Sequence, residues 1–132
     1  MSSLTSPFLL LDEMGPVNWP PGEAIGAPNH PHRGFDTVTY LLKGRMNHAD
    51  SAGNSGELNP GGVMVRTVRS GEVHSELHYH EFQKTGGVMH GFQTRVNREA
   101  AVKMLRPVYQ YSPEVNIPVV SSQDLLVTVR VI

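Results

Sequence analysis

The stretch NHPHRGFDTVTYLL, residues 29–42, decides the fold, because its second half is an unusually clear strand. DTVTYLL at 36–42 is β-branched and aromatic, the composition that fits a pleated, half-buried surface. Gly44 ends it, and Met46 to Ala49 is placed to return as a partner strand. Outward from there, turn compositions recur at short intervals: SAGNSG at 51–56, Asn59-Pro60-Gly61-Gly62, Ser70-Gly71 and Thr85-Gly86-Gly87. The intervals predict strands over Val63 to Val68, Val73 to His80 and Val88 to Asn97. Phe8 to Leu11 reads as a strand or an ordered arm, and LLVTVRVI at 125–132 as a final strand. Residues 15–31, GPVNWPPGEAIGAPNHP, read as irregular loop. Residues 98–105 read as one or two helical turns, and Pro107, Pro113 and Pro118 keep the chain beyond them extended. Seven or so short strands with almost no helix predict an all-β fold, an antiparallel sandwich or barrel.

Composition narrows the function classes. The 132 residues suit one domain, and 39% hydrophobic against 17% charged residues allows a buried core. Thirteen glycines and ten prolines suit strands and tight turns better than a helical bundle. A formal net charge of −1, with no two Lys or Arg residues adjacent, argues against direct binding to nucleic acid. The absence of cysteine excludes disulfides and thiolate metal sites and is compatible with a reducing compartment. MSSLTSPFLLLDEMG, residues 1–15, lacks a basic start and has an apolar run of only four residues, so it does not read as a signal peptide. No stretch is long enough to span a bilayer. The expected compartment is the cytoplasm, without membrane partners.

Seven histidines carry the chemistry, and two pairs stand out: His30-Pro31-His32 and His74-Ser75-Glu76. In an extended chain, residues i and i+2 point to one face. Each pair therefore aims two ligand groups the same way, and neighbouring strands would bring three imidazoles and one carboxylate together. One such pair alone is more often two solvated polar residues; two of them, each beside a strand, favour a site. That donor set suits one divalent ion: iron, nickel, manganese, copper or zinc. His78 continues the face of His74 and Glu76, as a fifth ligand or a residue of the cavity mouth, and His80 lies one step further out. His48 is expected on the surface of an outer strand, and His90 in the interior, hydrogen-bonded or supporting a ligand.

PFLLLDEM at 7–14, NHPHRGFDTVTYLLKG at 29–44, HADSAGNSGELNPGGV at 48–63, HSE at 74–76 and HGFQ at 90–93 together resemble the pirin family of the cupin superfamily. The resemblance covers about residues 7–132. It implies a cupin-type, jelly-roll-like antiparallel β-barrel and a single iron, Fe(II), held by His30, His32, His74 and Glu76. Some pirins open a flavonol ring with oxygen as quercetin 2,3-dioxygenases, and others act as iron-dependent transcriptional co-regulators. In the first role, Glu76 would also be the base that deprotonates a phenolic substrate. The chain departs from the family near the pocket. A glycine-rich TAGRGI-like approach reads TVRSGE at 67–72, and QLW reads Gln93-Thr94-Arg95.

The expectation is thus one pirin-like cupin domain over residues 1–132, with residues 1–6 a flexible tail. Its function is metal-dependent oxygenation of a flavonol-like aromatic, with a non-catalytic regulatory or protein-interaction module as the alternative. A domain whose metal site stays empty is the third possibility. Pirins have two cupin domains that pack face to face, and this chain matches one of them. The apolar strand at 125–132 and the surface of the missing neighbour predict a homodimer.

Overall fold

The computed structural model describes residues 6–132. The expected tail therefore lies outside the described residues except for Ser6, which enters a turn with Pro7. The described residues form eleven strands and one short α-helix. In chain order they are β1 (Phe8–Trp19), β2 (Gly26–His32), β3 (Phe35–Lys43), β4 (Met46–Asp50), β5 (Ser55–Leu58), β6 (Val63–Thr67), β7 (Glu72–His78), α1 (His80–Thr85), β8 (Gly87–Asn97), β9 (Val108–Ser112), β10 (Val119–Ser121) and β11 (Thr128–Arg130). All pairings are antiparallel. One sheet runs β1-β8-β3-β6-β9 and a second β2-β7-β4-β5. The all-β, jelly-roll-like expectation holds, and it takes the form of two sheets sharing an interior.

The stretch 15–31 is a loop only over 20–25. β1 continues to Trp19, where Val17, Asn18 and Trp19 pair with Met89, Val88 and Gly87, and β2 begins at Gly26. Both strands lie at sheet edges, where a proline lacking an N–H breaks no ladder bond. Pro16 falls in an irregularity between Met14 and Val17, and Pro28 in another between Ala27 and His30. Pro16, Pro28 and Pro31 thus lie in edge strands, and Pro20 and Pro21 in the connection between them.

Two other expectations shift. The strand after Gly71 spans Glu72–His78, and His80 instead opens α1. The C-terminal strand shrinks to Thr128–Arg130, paired with Val119–Ser121 in a separate hairpin. Asp124 accepts from Ser122 Oγ and from the Leu126 amide, so a tight local turn captures the segment. Leu125 and Leu126 stay exposed at 77% and 83%, and the terminal strand joins neither main sheet.

Alternation sorts the interior into two ends. Leu41, Met46, Leu58, Met64 and Met89 form the apolar core, with Trp19, Phe82, Tyr109 and Tyr111 packed against it. The other end is polar: Thr37, Thr39, Arg66, Glu72, His74 and Glu76 are all buried. Outside the five-stranded sheet, Phe8, Leu11, Val38, Tyr40, Phe92 and Val96 line an open apolar groove that Ile132 also borders.

Candidate metal centre

Strand β7 lies between β2 and β4, and this placement assembles the site. The ladder sets His30 opposite His74 and His32 opposite Glu72 on one side. On the other it sets Asp50 opposite His74 and His48 opposite Glu76. Gly26 starts β2 with φ +84°, and a Cβ there would come 2.5 Å from the Glu76 carbonyl oxygen, so only glycine lets the strands approach. Along β7, Glu72, His74, Glu76 and His78 all point inward, while Val73 is exposed.

His30, His32 and His74 converge. Their ring centroids stand 4.1 Å (His30–His74), 4.7 Å (His30–His32) and 4.9 Å (His32–His74) apart. One nitrogen from each ring lies within 4.8 Å of the others, close enough for a shared ion. The expected fourth ligand, Glu76, is buried beside this trio rather than within it. Its carboxylate accepts from Gln93 Nε2 at 3.2 Å, and its Oε1 has no hydrogen-bond donor. Three imidazoles and a buried carboxylate with a spare oxygen are a donor set that fits a divalent cation.

Burial governs the protonation of these groups. His32 falls to about 4, chiefly by burial, with His30, Arg95 and Arg66 adding to the effect. His74 falls to about 2, again by burial first and Arg66 second. Both rings are neutral at physiological pH, as metal ligands must be. Glu76 and Glu72 are pushed up by burial, and Arg66 opposes this in both.

Arg66, Glu72, His48 and Asp50 also belong to the site, and sequence reasoning missed them as such. Arg66 reaches in from β6 and is ion-paired with Glu72. Its only trace in the sequence is a charge at the same parity as Met64 and Val68, in a strand otherwise apolar on that face. Glu72 shares the parity of His74 and was the readable signal. His48 is corrected outright: it is 3% exposed, not a surface group. Its ring stacks on Tyr109 at 5.0 Å and faces Asp50 Oδ2 at 3.4 Å. β4 has a sheet neighbour on both sides, which makes it an inner strand. Asp50 is committed to its turn, accepting from the amides of Ala52 and Asn54 at 2.9 Å each.

The remaining histidines lie apart from the trio. His78 is buried in the apolar floor between Trp19 and Phe82. His80 sits on α1. His90 is not buried as expected; its side chain is 21% exposed and bonded to Glu13 at 2.9 Å.

Two cavities flank the site. An open cleft of about 670 Å³, lined by His32, Arg33, Phe35, Glu72 and Arg95, adjoins the histidines. An apolar chamber of about 210 Å³, bounded by Met14, Trp19, Met46 and Met89, touches Glu76 from the opposite end.

The buried imidazoles make the metal-free protein acid-sensitive. In the unfolded chain His74 takes up its proton below about pH 6.5, and in the fold it stays neutral until about 2. Its contribution is therefore full above pH 6.5 and is lost as pH falls toward the folded value. By pH 5 this ring alone removes ~2 kcal/mol. The lowered His32, His48 and His78 act in the same direction. The raised Glu72 and Glu76 act against it, stabilising in acid and less so as pH rises, but Arg66 restrains both. The melting temperature of the metal-free protein should be lower at pH 5 than at pH 7 by about 5 °C or more. An unchanged or higher value at pH 5 would refute this account of the buried rings.

Known proteins match this chain along most of its length. A family model described as Pirin matches residues 1–96. A Pseudomonas aeruginosa protein whose name gives it, provisionally, as a quercetin 2,3-dioxygenase is 43% identical over 128 residues, covering 96% of this chain and 45% of that protein. Human pirin is 40% identical over 124 residues, covering 93% of this chain and 39% of its own. A crystal structure of quercetin 2,3-dioxygenase from Acinetobacter baumannii superposes with a TM-score of 0.88 at 38% identity, over 95% of this chain and 44% of that one. The chain thus spans less than half the length of each of these three proteins.

Proposed function

The chain belongs to the pirin family, and on that premise we propose that it is a metal-dependent oxygenase domain of the quercetin 2,3-dioxygenase type. The observation that carries this reading is the convergence of His30, His32 and His74 beside the buried carboxylate of Glu76. These four residues would hold the ion, with Fe(II) as the physiological metal and nickel, manganese, copper or zinc able to replace it. A bound ion there would supply Lewis-acid chemistry and, as iron, a centre for handling oxygen. The chain's own residues do the rest. The cleft beside His32 is large enough for a flavonol-like aromatic, since ligand sites commonly occupy ~300–1,000 Å³. The smaller chamber behind Glu76 gives that side of the carboxylate an apolar lining. Burial raises the proton affinity of the Glu76 carboxylate, which suits it to accept a proton from a phenolic hydroxyl that reaches the metal site. We place the whole chain in one domain and in the cytoplasm; among the described residues no helix is long and apolar enough to cross a membrane.

With Fe(II) and oxygen, turnover of quercetin should be detectable but weak, because the charged Glu72 and Arg95 line the cleft. Robust turnover by metal-free protein would contradict the mechanism. Absence of turnover with every metal would favour the second reading, a metal-dependent regulatory or protein-interaction module. That reading draws on the apolar groove outside the five-stranded sheet.

The same groove supports a homodimer. Its rim of Phe8, Leu11 and Ile132 is 55%, 72% and 59% exposed, and a second copy across a two-fold axis would cover it. Light scattering at micromolar concentration should give twice the 14.5 kDa of one chain. A mass near a single chain would remove the dimer.

A further inference from the structure

Arg66 is fully buried, and its guanidinium enters the ligand cluster from the sheet facing β7. Nη2 is ion-paired with Glu72. Nη1 stands 3.8 Å from Glu76 Oε1 and lies against both ring nitrogens of His74, 2.8 Å from Nε2. Two of the four groups assigned to the metal therefore already face a cation that belongs to the chain.

We propose that Arg66 sets the metal affinity of the centre, because its guanidinium and a divalent ion compete for His74 and Glu76. This inference rests on the reading that His30, His32, His74 and Glu76 hold the metal. A guanidinium held against both ring nitrogens of His74 occupies the space a metal would need there and sets positive charge beside it. Unlike a lysine, Arg66 cannot step aside by losing its proton, since guanidinium stays charged in proteins. It can only withdraw, and Glu72 gives it an anchor from which to do so. Loading therefore breaks the contact with His74, keeps the pair with Glu72, and brings a second cation close to a fixed one in a buried site. The ligand set binds more weakly than it would alone. A purely structural Arg66, present only to neutralise Glu72, would leave affinity unchanged when both charges are removed together.

Zn(II) titration in competition with a chromophoric chelator separates these roles. Two paired replacements remove both charges: Arg66→Met with Glu72→Ile, and Arg66→Gln with Glu72→Gln. Thermal melts establish which of them fold, and either folded pair suffices. Each should bind Zn(II) at least about 10-fold more tightly than the unaltered protein. Adding His74→Ala to the same background should abolish the gain. Equal or weaker binding in a folded pair overturns the proposal, and so does a gain that survives His74→Ala. If His74→Ala still weakens binding in the otherwise unaltered protein, the metal site itself stands and only the role of Arg66 falls. If neither the unaltered protein nor the pairs bind Zn(II), both readings fall.

Discussion

Replacing His74 with Ala should lower metal affinity at least about 10-fold. His74 is the centre of the cluster, since its ring is the one flanked on both sides along the ladder, by His30 and by Asp50. Of the three rings it is also the one closed off from solvent, at 1% exposure, so no water would replace it as readily as His30 or His32. His32→Ala should act in the same direction, by a comparable factor. Elemental analysis after gel filtration, with a chelator competition titration, reads the effect directly: about one ion per chain before substitution and a large deficit after it. His90→Ala is the matched control, because His90 is bonded to Glu13 and stands outside the trio. Full occupancy in His74→Ala would remove His74 from the site and with it the assignment.

Arg66→Met alone should be among the most destabilising substitutions in the chain, by ~3–5 kcal/mol. The physical reason is asymmetry. Removing one partner of a buried ion pair strands the other, whereas removing both exchanges them for packing. Arg66 is surrounded by Glu72, which is 6% exposed, and Glu76, which is 5% exposed, so its loss leaves two carboxylates in the interior without a counter-charge. A melting temperature lower by ~10 °C or more is expected for a domain of this size. The pair Arg66→Met with Glu72→Ile should recover most of that loss. A single variant as stable as the unaltered protein would show that the pair contributes little to the fold.

Much of this was legible in the chain itself. DTVTYLL, HPH and HSE could be read because strand alternation is local: two residues apart means one face, whatever the rest of the fold does. The same alternation made Glu72 and Arg66 available, but their meaning depends on β6 and β7 facing each other from different sheets. No short window of sequence contains that distance. His48 was misplaced for a related reason, since whether a strand is inner or outer depends on neighbours distant in the chain. The misreading of 15–31 had another origin: proline is expensive in a central strand and harmless at an edge, and composition does not distinguish the two. LLVTVRVI has strand-forming residues throughout, yet the Ser122–Asp124 turn keeps all but Thr128–Arg130 out of a ladder and that short piece out of the main sheets.

The arrangement of β7 makes this protein far more tolerant of exchange than of miscounting. Four ionisable groups occupy the even positions from Glu72 to His78, and Val73, Ser75 and Leu77 occupy the odd ones. Replacement at any one even position leaves the other three facing inward. Deleting a single residue near Ser70 or Gly71 would invert the parity of everything after it, turning a valine, a serine and a leucine inward together. The proposed metal ligands, the proposed proton acceptor and the partner of Arg66 would all be lost in one event, with no change in the residues themselves. Length variation should therefore collect in the loops at 20–25 and 51–54 and be rejected between Gly71 and His78, a bias that a library of single-residue deletions scored for folding would reveal.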